Sequence, residues 1–272
     1  MSPAAPQLPA LDEVLATLHP SGVLELRLNT PKNLNSLTVQ KYRDLVKGLD
    51  FAKAHKDVQA VVVTSTGRFF SSGASISAGG MGASGVKKGE NPARNFIDAL
   101  IDFPKLLVAA LQGPAYGIAV TMLPHFDIVY AAPDTTLTTP FSRIGICLEG
   151  CSSVLFPPLF GPVVTSRLLY LAETVPIADV EHSGLIREVL PADGIQTAVV
   201  RRVEAALHNN VPESILASKS LVKSPKIRKE LHRINHEEMA AVEKCRSSQA
   251  HKDAIGRFAA EAAAKKAAKA KL

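Results

Sequence analysis

The sequence predicts an α/β fold, because buried strands alternate with amphipathic helices along the chain. Residues 106–111 (LLVAAL) form a continuous apolar run that ends in a Gly-Pro turn, as expected for a buried strand. Residues 58–64 (VQAVVVT) predict a second strand of this kind. Segments of helical periodicity lie between the strands, and helices of their length imply crossover connections.

The N-terminal part of the chain predicts a hairpin followed by a helix. Residues 13–18 and 23–28 alternate apolar and polar side chains on either side of His-Pro-Ser-Gly, residues 19–22. Thr38 is the expected N-cap of the helix. The apolar side chains of this helix recur at helical spacing and are Tyr42, Leu45, Val46 and Leu49.

The same patterns predict the remaining elements. A helix is expected near residues 93–103, a short helix near Gly117 and a strand at residues 128–132. Four further helices are predicted at residues 162–172, 178–183, 195–207 (with Asp193 near its cap) and 212–222. Residues 226–269 predict a long helical segment with a break near residues 250–253.

Composition excludes several classes of protein. Of the 272 residues, 46% are hydrophobic and 21% are charged, which is enough for an ordinary core, and no run of 18 apolar residues predicts a membrane span. The N-terminal residues lack the basic start and the apolar stretch of a signal peptide. Three cysteines are too few and oddly numbered for a disulfide framework, which favours a reducing compartment.

The charge balance leaves two interpretations open. The formal net charge is +6, and much of the excess lies in the C-terminal lysines. This excess fits a solvated helical tail, or attraction of a polyanionic ligand such as coenzyme A. Nucleic-acid binding is a weaker third interpretation, because basic residues are not interleaved with aromatic ones and tryptophan is absent.

Three local patterns favour structure over chemistry. GMGASG (residues 80–85) has the form of a dinucleotide-binding motif but does not directly follow a strand, so residues 77–91 are interpreted as a mobile lid. His232 and His236 have metal-sharing spacing without an evident third ligand, so an exposed polar helix face is favoured and no metal site is predicted. Cys147 and Cys151 lack a basic partner and are interpreted as packing residues.

The segment that follows the strand at residues 106–111 predicts a site for negative charge. A buried strand here delivers the chain to the beginning of a short helix near Gly117, where backbone N–H groups have no intrahelical partner. These donors and the helix dipole favour an anion or a developing oxyanion. Small side chains let a ligand approach the main chain closely, and they are Gly113, Ala115, Gly117 and Ala119.

Two motifs then carry a family resemblance. SSGAS (residues 71–75) matches F-S-x-G-A-D with Ser75 in place of the aspartate, and QGPAYGIA (residues 112–119) matches N-G-x-A-x-G-G-G with two glycines replaced. Phe126-Asp127 stands where a Cys-Asp pair is expected. With this spacing the chain resembles the crotonase (enoyl-CoA hydratase/isomerase) superfamily over residues 14–221.

The resemblance implies a crotonase-like ββα spiral core at residues 1–200 and a C-terminal helical region at residues 201–272 that covers the site or a neighbouring subunit. It also implies an acyl-CoA thioester substrate, no cofactor beyond the coenzyme A of that substrate, and a homotrimer or hexamer. The backbone N–H groups of Ala74 and Ile118 are expected to bind the thioester oxygen. The implied substrate-binding residues are Lys32, Ser72, Gly73, Ala74, Ser75, Ile76 and Ile118.

The resemblance also chooses among reactions. The two hydratase glutamates are replaced by Thr121 and Phe141, which cannot serve as general base and acid for water. Glu149, in LEGCSS, falls where the peroxisomal 3,2-enoyl-CoA isomerases carry their glutamate, although Cys151 departs from that pattern. A single carboxylate is therefore expected to move a proton from the α to the γ carbon of a 3-enoyl-CoA.

Four alternatives stay open. Glu149 could instead favour the beginning of the next helix electrostatically. A dienoyl-CoA isomerase would need a further acid near position 121 or 141, and a hydratase is disfavoured for the same reason. Ser75, Ile118 and Cys151 also leave room for a catalytically weak acyl-CoA-binding protein.

The last three residues, Ala270-Lys271-Leu272, are a variant of the S-K-L peroxisomal address, which is read by a receptor. Behind an Ala/Lys-rich segment on a crotonase-like chain, they predict a peroxisomal location and an import receptor as a partner.

Overall fold

The computed structural model describes residues 7–77, 80–81, 86–87 and 89–269. Within these residues, a six-stranded sheet has the order β1-β2-β3-β6-β8-β11, a three-stranded sheet the order β10-β9-β7, and β4 pairs with β5. The strands are β1 Val14–Leu18, β2 Val23–Leu28, β3 Ala60–Ser65, β4 Ile76–Ser77, β5 Gly80–Met81, β6 Leu106–Leu111, β7 Ala115–Tyr116, β8 Ile128–Ala131, β9 Thr136–Thr138, β10 Thr174–Pro176 and β11 Ile186–Val189.

The described helices confirm the predicted mixed α/β class. They are α1 Val39–Ala54, α2 Pro92–Asp102, α3 Ile118–Thr121, α4 Ser152–Leu169, α5 Ile195–His208, α6 Pro212–Val222, α7 Pro225–Arg246 and α8 Gln249–Lys269. None of the helices in the described ranges combines the length and the apolar character that crossing a membrane requires.

The large sheet is parallel beyond its first hairpin. Strands β1 and β2 are antiparallel, as predicted, while β3, β6, β8 and β11 continue the sheet in parallel. Each parallel connection includes a helix or a long crossover, as parallel pairing requires. Both faces of the sheet are covered, because α1 and α2 pack on one face and α5 on the other.

Local sequence signals determine how α1 and the smaller sheet are placed. The Thr38 hydroxyl accepts the Lys41 N–H at 3.0 Å, so Thr38 is the N-cap that the sequence predicts. Isolated bridges join Leu37 to Ala74 and Ser71 to Ala115. These bridges hold the SSGAS segment between the start of α1 and strand β7.

The C-terminal helices are fixed to the core by buried polar contacts. Lys219 of α6 donates to the Asp127 carboxylate at 2.6 Å, and the same carboxylate accepts the Leu107 N–H at 2.8 Å. On α7, the Glu238 carboxylate accepts N–H groups at the beginning of α4. Because these contacts link segments about 90 residues apart, they place α7 beside the loop before α4.

One predicted helix is wrong, and two others agree with the structure near their beginnings. Residues 178–183 contain only a 3₁₀ turn, Ile177–Asp179, because the chain turns again at Gly184 with φ +90°. Helix α4 spans Ser152–Leu169 and kinks at Gly161 (φ +72°), so its second part begins at Pro162, where the sequence predicts a helix. The N-cap of α5 is Gly194, so Asp193 lies next to the cap, as predicted.

The break in the C-terminal helical segment lies at Ser247 and Ser248, earlier than predicted. The Ser248 hydroxyl accepts the His251 N–H at 3.2 Å, so this side chain caps α8 and separates it from α7.

In the predicted lid, β4 and β5 form an antiparallel pair, and residues 78–79, 82–85 and 88 lie outside the described residues. Gly80 and Met81 belong to a strand, which does not fit the dinucleotide-binding interpretation of GMGASG.

Candidate active site

A mostly apolar cleft lies where the SSGAS segment, the beginning of α3, the loop before α4 and helix α7 meet. It holds about 530 Å³ of empty space, including the part that opens to solvent. Four of the predicted site residues line it, Ser72, Gly73, Ala74 and Ile118, and so does Glu149. The opposite wall comes from α1 and α7 and includes Tyr42, Met239, Val242 and Arg246.

The Ala74 amide faces the cleft because its neighbours pair on the other side. Leu37 donates its N–H to the Gly73 carbonyl at 2.7 Å and accepts the Ser75 N–H at 3.0 Å. Since peptide groups alternate in direction along an extended chain, the N–H of Ala74 points away from Leu37. Gly73 has φ +78°, and a Cβ there would lie 2.4 Å from the Tyr116 carbonyl oxygen, so only glycine fits.

Ile118 provides the second free amide. Gly117 donates its N–H to the Thr138 carbonyl at 2.8 Å, and its own carbonyl accepts the N–H groups of Val120 and Thr121. Ile118 is the first residue of α3, where an N–H has no partner within the helix. Among the residues that the structure describes, neither the Ala74 nor the Ile118 amide has an acceptor. Both can therefore donate to a bound oxyanion.

Glu149 is a buried carboxylate with one satisfied oxygen. Its side chain is 6% exposed, and Oε1 accepts the Thr121 hydroxyl at 2.5 Å. Oε2 is buried and has no hydrogen-bond partner among the described residues. Burial raises the pKa of Glu149 to about 7, with the hydrogen bond from Thr121 opposing this rise and the nearby Glu238 carboxylate adding to it. At neutral pH the group can both accept and release a proton.

The backbone after Glu149 is left-handed and leaves room for Thr121. Gly150 (φ +75°) and Cys151 (φ +64°) both lie in the left-handed region. A Cβ on Gly150 would approach the Thr121 hydroxyl oxygen to 2.8 Å. The glycine therefore allows Thr121 to come close to the Glu149 carboxylate.

The electrostatic role at the beginning of α4 is filled by another residue. Glu238 on α7 accepts the Cys151 N–H at 2.7 Å and the Ser153 N–H at 3.0 Å. The Glu149 carboxylate accepts only the Thr121 hydroxyl among the groups described. The alternative in which Glu149 serves the helix terminus is thus not what its contacts indicate.

Four polar residues of the site were missed by sequence reasoning: Tyr42, Thr121 as a hydrogen-bond donor, Glu238 and Arg246. For Thr121 a signal existed, because it occupies the position of a hydratase glutamate and keeps a polar side chain there. Glu238 and Arg246 carry no local signal, since α7 lies more than 80 residues from the loop that it covers.

The remaining predicted binding residues are Lys32, Ser75 and Ile76. Lys32 is exposed in a 3₁₀ turn, Pro31–Asn33, and does not line the cleft. Ser75 is held by its backbone bond to Leu37. The backbone of Ile76 forms β4, and its side chain lies outside what the structure describes.

The histidine pair is part of an ion-pair network. His232 lies 2.8 Å from Asp98 and 3.0 Å from Asp102 through its two ring nitrogens, and His236 lies 3.3 Å from Asp98. Within the described ranges, no group of three or more His, Cys, Asp or Glu side chains fits a metal ion. The pair joins α7 to α2, so the predicted solvated face is only partly exposed.

The cysteines next to Glu149 are suppressed as nucleophiles. Burial raises the pKa of Cys147 to about 11, and it raises the pKa of Cys151 further. Cys151 is buried, and its thiol donates to the Leu231 carbonyl at 3.3 Å. These contacts fit the packing role predicted for both side chains.

Known proteins are similar to this chain in sequence. The enoyl-CoA hydratase/isomerase family model matches residues 19–265. Enoyl-CoA delta isomerase 2 of Rattus norvegicus is 35% identical over 221 residues, which are 80% of this chain and 56% of that protein. The peroxisomal enoyl-CoA delta isomerase 3 of Mus musculus is 34% identical over 224 residues, 81% of this chain and 70% of that protein. The chain spans little more than half the length of the first curated relatives it matches.

Solved structures agree on the fold. Pseudomonas aeruginosa OdaA superposes with a TM-score of 0.82 at 28% identity, covering 91% of this chain and 98% of that one. An enoyl-CoA hydratase/isomerase of Pseudoalteromonas atlantica superposes with a TM-score of 0.84 at 24% identity, covering 92% and 98% of the two chains, and this likeness concerns the fold alone. On the family match and the curated relatives together, the chain belongs to the enoyl-CoA hydratase/isomerase (crotonase) family.

Proposed function

We propose that this protein is a 3,2-enoyl-CoA isomerase in which Glu149 carries one proton between two carbons of the acyl chain. The observation that carries the proposal is a single arrangement. One buried carboxylate oxygen without a partner shares a cleft with two backbone N–H groups that have no acceptor among the described residues.

The chemistry follows from this arrangement. The N–H groups of Ala74 and Ile118 would hold the thioester oxygen, so that the C2 proton becomes acidic and the enolate is stabilised. Removing one such donor typically raises the barrier by about 3–4 kcal/mol. Glu149 Oε2 would take the C2 proton and return it to C4, and the double bond moves from C3–C4 to C2–C3. No net proton is gained or lost.

The surroundings of Glu149 favour isomerisation over hydration. Thr121 and Phe141 stand at the positions of the two hydratase glutamates, and both are buried. Glu149 is the one carboxylate lining the cleft in the part of the chain that the structure describes. A hydratase or a dienoyl-CoA isomerase would each need a second acid there, so neither is favoured.

The names of relatives support the same reaction and a location. Two relatives from Rattus norvegicus and Homo sapiens are called enoyl-CoA delta isomerase 2, and the one from Mus musculus is called peroxisomal. We extend to this chain a role in the metabolism of unsaturated acyl-CoA, β-oxidation included, in the peroxisome. Ala270-Lys271-Leu272, the proposed address for an import receptor, lies outside the described residues.

The proposal includes further points taken from the family resemblance. These are a core of residues 1–200, a C-terminal helical region of residues 201–272, a homotrimer or hexamer, contact of Lys32 with coenzyme A, and no cofactor beyond the substrate's own coenzyme A. Mass measurement in solution by light scattering tests the assembly.

The function is tested by the absorbance of the conjugated thioester that forms when 3-hexenoyl-CoA is converted to 2-hexenoyl-CoA. We expect conversion without accumulation of the 3-hydroxy product. Tight binding of acyl-CoA without turnover of any enoyl ester would instead identify a binding protein, and rapid hydration of 2-hexenoyl-CoA would identify a hydratase.

A further inference from the structure

Two polar side chains in the cleft take no part in the proposed proton transfer and make no hydrogen bond within the described residues. They are the guanidinium of Arg246 and the hydroxyl of Tyr42, and both residues line the cleft with Glu149. Polar groups without partners are uncommon in protein interiors, and each one calls for an explanation.

Arg246 is the last residue of α7. Its side chain is 26% exposed, its Nε is buried, and its guanidinium makes no hydrogen bond within the described residues. Its ion-pair partner among the described residues, Glu243, lies 3.8 Å away and is 71% exposed, so this ion pair is weak. The charge of Arg246 also opposes the rise in the pKa of Glu149 in the same cleft. The cation is therefore available to a ligand.

Tyr42 lies on the facing helix, α1. It is 4% exposed, its buried hydroxyl has no hydrogen-bond partner among the described residues, and its ring centroid lies 5.8 Å from that of Phe96. Burial raises the pKa of Tyr42, so the hydroxyl stays protonated and can donate a hydrogen bond. Arg246 presents only donors, and the Tyr42 hydroxyl can donate as well, so a carboxylate oxygen can accept from both.

The cleft that holds these donors is otherwise lined mainly by apolar side chains. Ile144, Ile146, Met239 and Val242 are among them. A ligand that fills the cleft would place a short hydrocarbon segment against these side chains, with an acceptor at its far end.

We propose that the cleft selects acyl-CoA thioesters whose acyl chain ends in a carboxylate, with Arg246 and Tyr42 as the residues that bind that carboxylate. The substrate class would be the mono-CoA thioesters of unsaturated dicarboxylic acids. The reaction of these substrates rests on the proposed function, whereas the binding of their carboxylate can be tested without it.

The test uses saturated thioesters, which bind without reacting. Dissociation constants are measured by calorimetry for matched pairs of six, eight and ten carbons, each pair comprising a fatty acyl-CoA and the corresponding dicarboxylic mono-CoA ester. We expect the carboxylated member of at least one pair to bind about tenfold more tightly, as one charge-assisted hydrogen-bonded pair provides. Arg246→Gln should abolish this ratio, and Tyr42→Phe should reduce it about threefold.

Glu243→Gln is the matched control, because it removes the weak partner of Arg246 and should leave the ratio unchanged or raise it. The inference is overturned if wild-type protein binds both members of every pair equally. It is also overturned if Arg246→Gln weakens both members and free coenzyme A alike, since Arg246 would then bind a coenzyme phosphate.

The same ligands separate the two proposals. If the protein prefers the carboxylated esters but isomerises no 3-enoyl-CoA, the proposed carboxylate site is supported and the proposed isomerase function is contradicted. If the protein isomerises 3-hexenoyl-CoA but shows no such preference, the isomerase function is supported and the carboxylate site is contradicted.

Discussion

Two buried carboxylates flank the beginning of α4, and they differ in one respect. Glu149 is 6% exposed and Glu238 is 7% exposed, and burial raises the pKa of both. Both oxygens of Glu238 accept backbone N–H groups, from Cys151 and Ser153. Glu149 accepts only the Thr121 hydroxyl, and its second oxygen has no partner among the described residues.

This difference separates a structural acid from a reactive one. A buried carboxylate with both oxygens hydrogen-bonded stabilises the groups that it joins, here α7 and α4. A buried carboxylate with one free oxygen costs stability, and it is expected where a substrate is to complete the contacts. The comparison supports the proposed catalytic role of Glu149, and the contacts of Glu238 are those of a helix cap.

The largest effect is expected from Glu149→Gln. Because a positioned base contributes about 100- to 10,000-fold, kcat for 3-hexenoyl-CoA should fall by that factor while the dissociation constant of a saturated thioester changes little. Glu238→Gln is the matched control and should keep most of kcat. An equal loss of kcat in the two variants would contradict the distinction between the two carboxylates.

A second readout of Glu149→Gln is stability. The folded-state pKa of Glu149 is raised to about 7 from 4.5, so the wild-type protein loses stability as pH rises through that interval. The glutamine variant has no such loss and should unfold at a higher temperature than wild type at pH 8. A lower unfolding temperature at that pH would show that Glu149 supports the fold.

Glu238→Ala should have the largest effect on stability. It leaves the N–H groups of Cys151 and Ser153 without acceptors; Cys151 is buried, whereas Ser153 is exposed and its N–H can bind water. An unsatisfied buried donor costs about 1–3 kcal/mol, so we expect the free energy of unfolding to fall by about that amount in urea titrations. A change under about 0.5 kcal/mol, the size of an ordinary surface effect, would be inconsistent with a capping role.

The pH dependence of kcat/KM sharpens the comparison further. Catalysis needs ionised Glu149, so the rate should fall about tenfold per pH unit below about 7. Thr121→Val removes a hydrogen bond that favours the carboxylate, so the acid limb should move to higher pH. Glu238→Gln removes a neighbouring negative charge, so the limb should move to lower pH. Shifts of the same sign in both variants would contradict this arrangement.

The smallest effect is expected at the contact between α7 and α2. Burial lowers the pKa of His232, but hydrogen bonds to Asp102 and Asp98 outweigh burial and raise it above the ordinary 6.5. The stabilisation is therefore full below about pH 6.5 and is lost as pH rises through the higher folded-state value. His232→Gln should lower the unfolding temperature more at pH 6 than at pH 9, and an equal loss at both would exclude the ionic contribution.

Signals within a few residues of one another predicted much of the fold. The β1–β2 hairpin, the Thr38 cap and the buried strand β6 follow from alternation, capping and apolar runs. Predictions failed where a nearby turn ended a helix early, as at Gly184 and Ser248.

Likewise, the sequence predicted the site residues that lie in local motifs and missed those that come from distant segments. Ala74, Ile118 and Glu149 lie in or beside motifs that a sequence displays, so they could be named as candidates. Glu238 and Arg246 could not, because they reach the cleft from α7 through packing between segments far apart in the chain. The pairing of His232 with Asp98 is long-range too, and helical spacing alone suggested a solvated face.

The central claim is that one buried carboxylate carries the proton from C2 to C4. The direct measurement is a single turnover of 3-hexenoyl-CoA dideuterated at C2, in ordinary water, with the product analysed by NMR. We predict that part of the 2-hexenoyl-CoA carries deuterium at C4, because Glu149 holds the label in a cleft that shields it from solvent. Hydrogen from solvent at C4 in every product molecule, together with unchanged turnover in Glu149→Gln, would contradict the account.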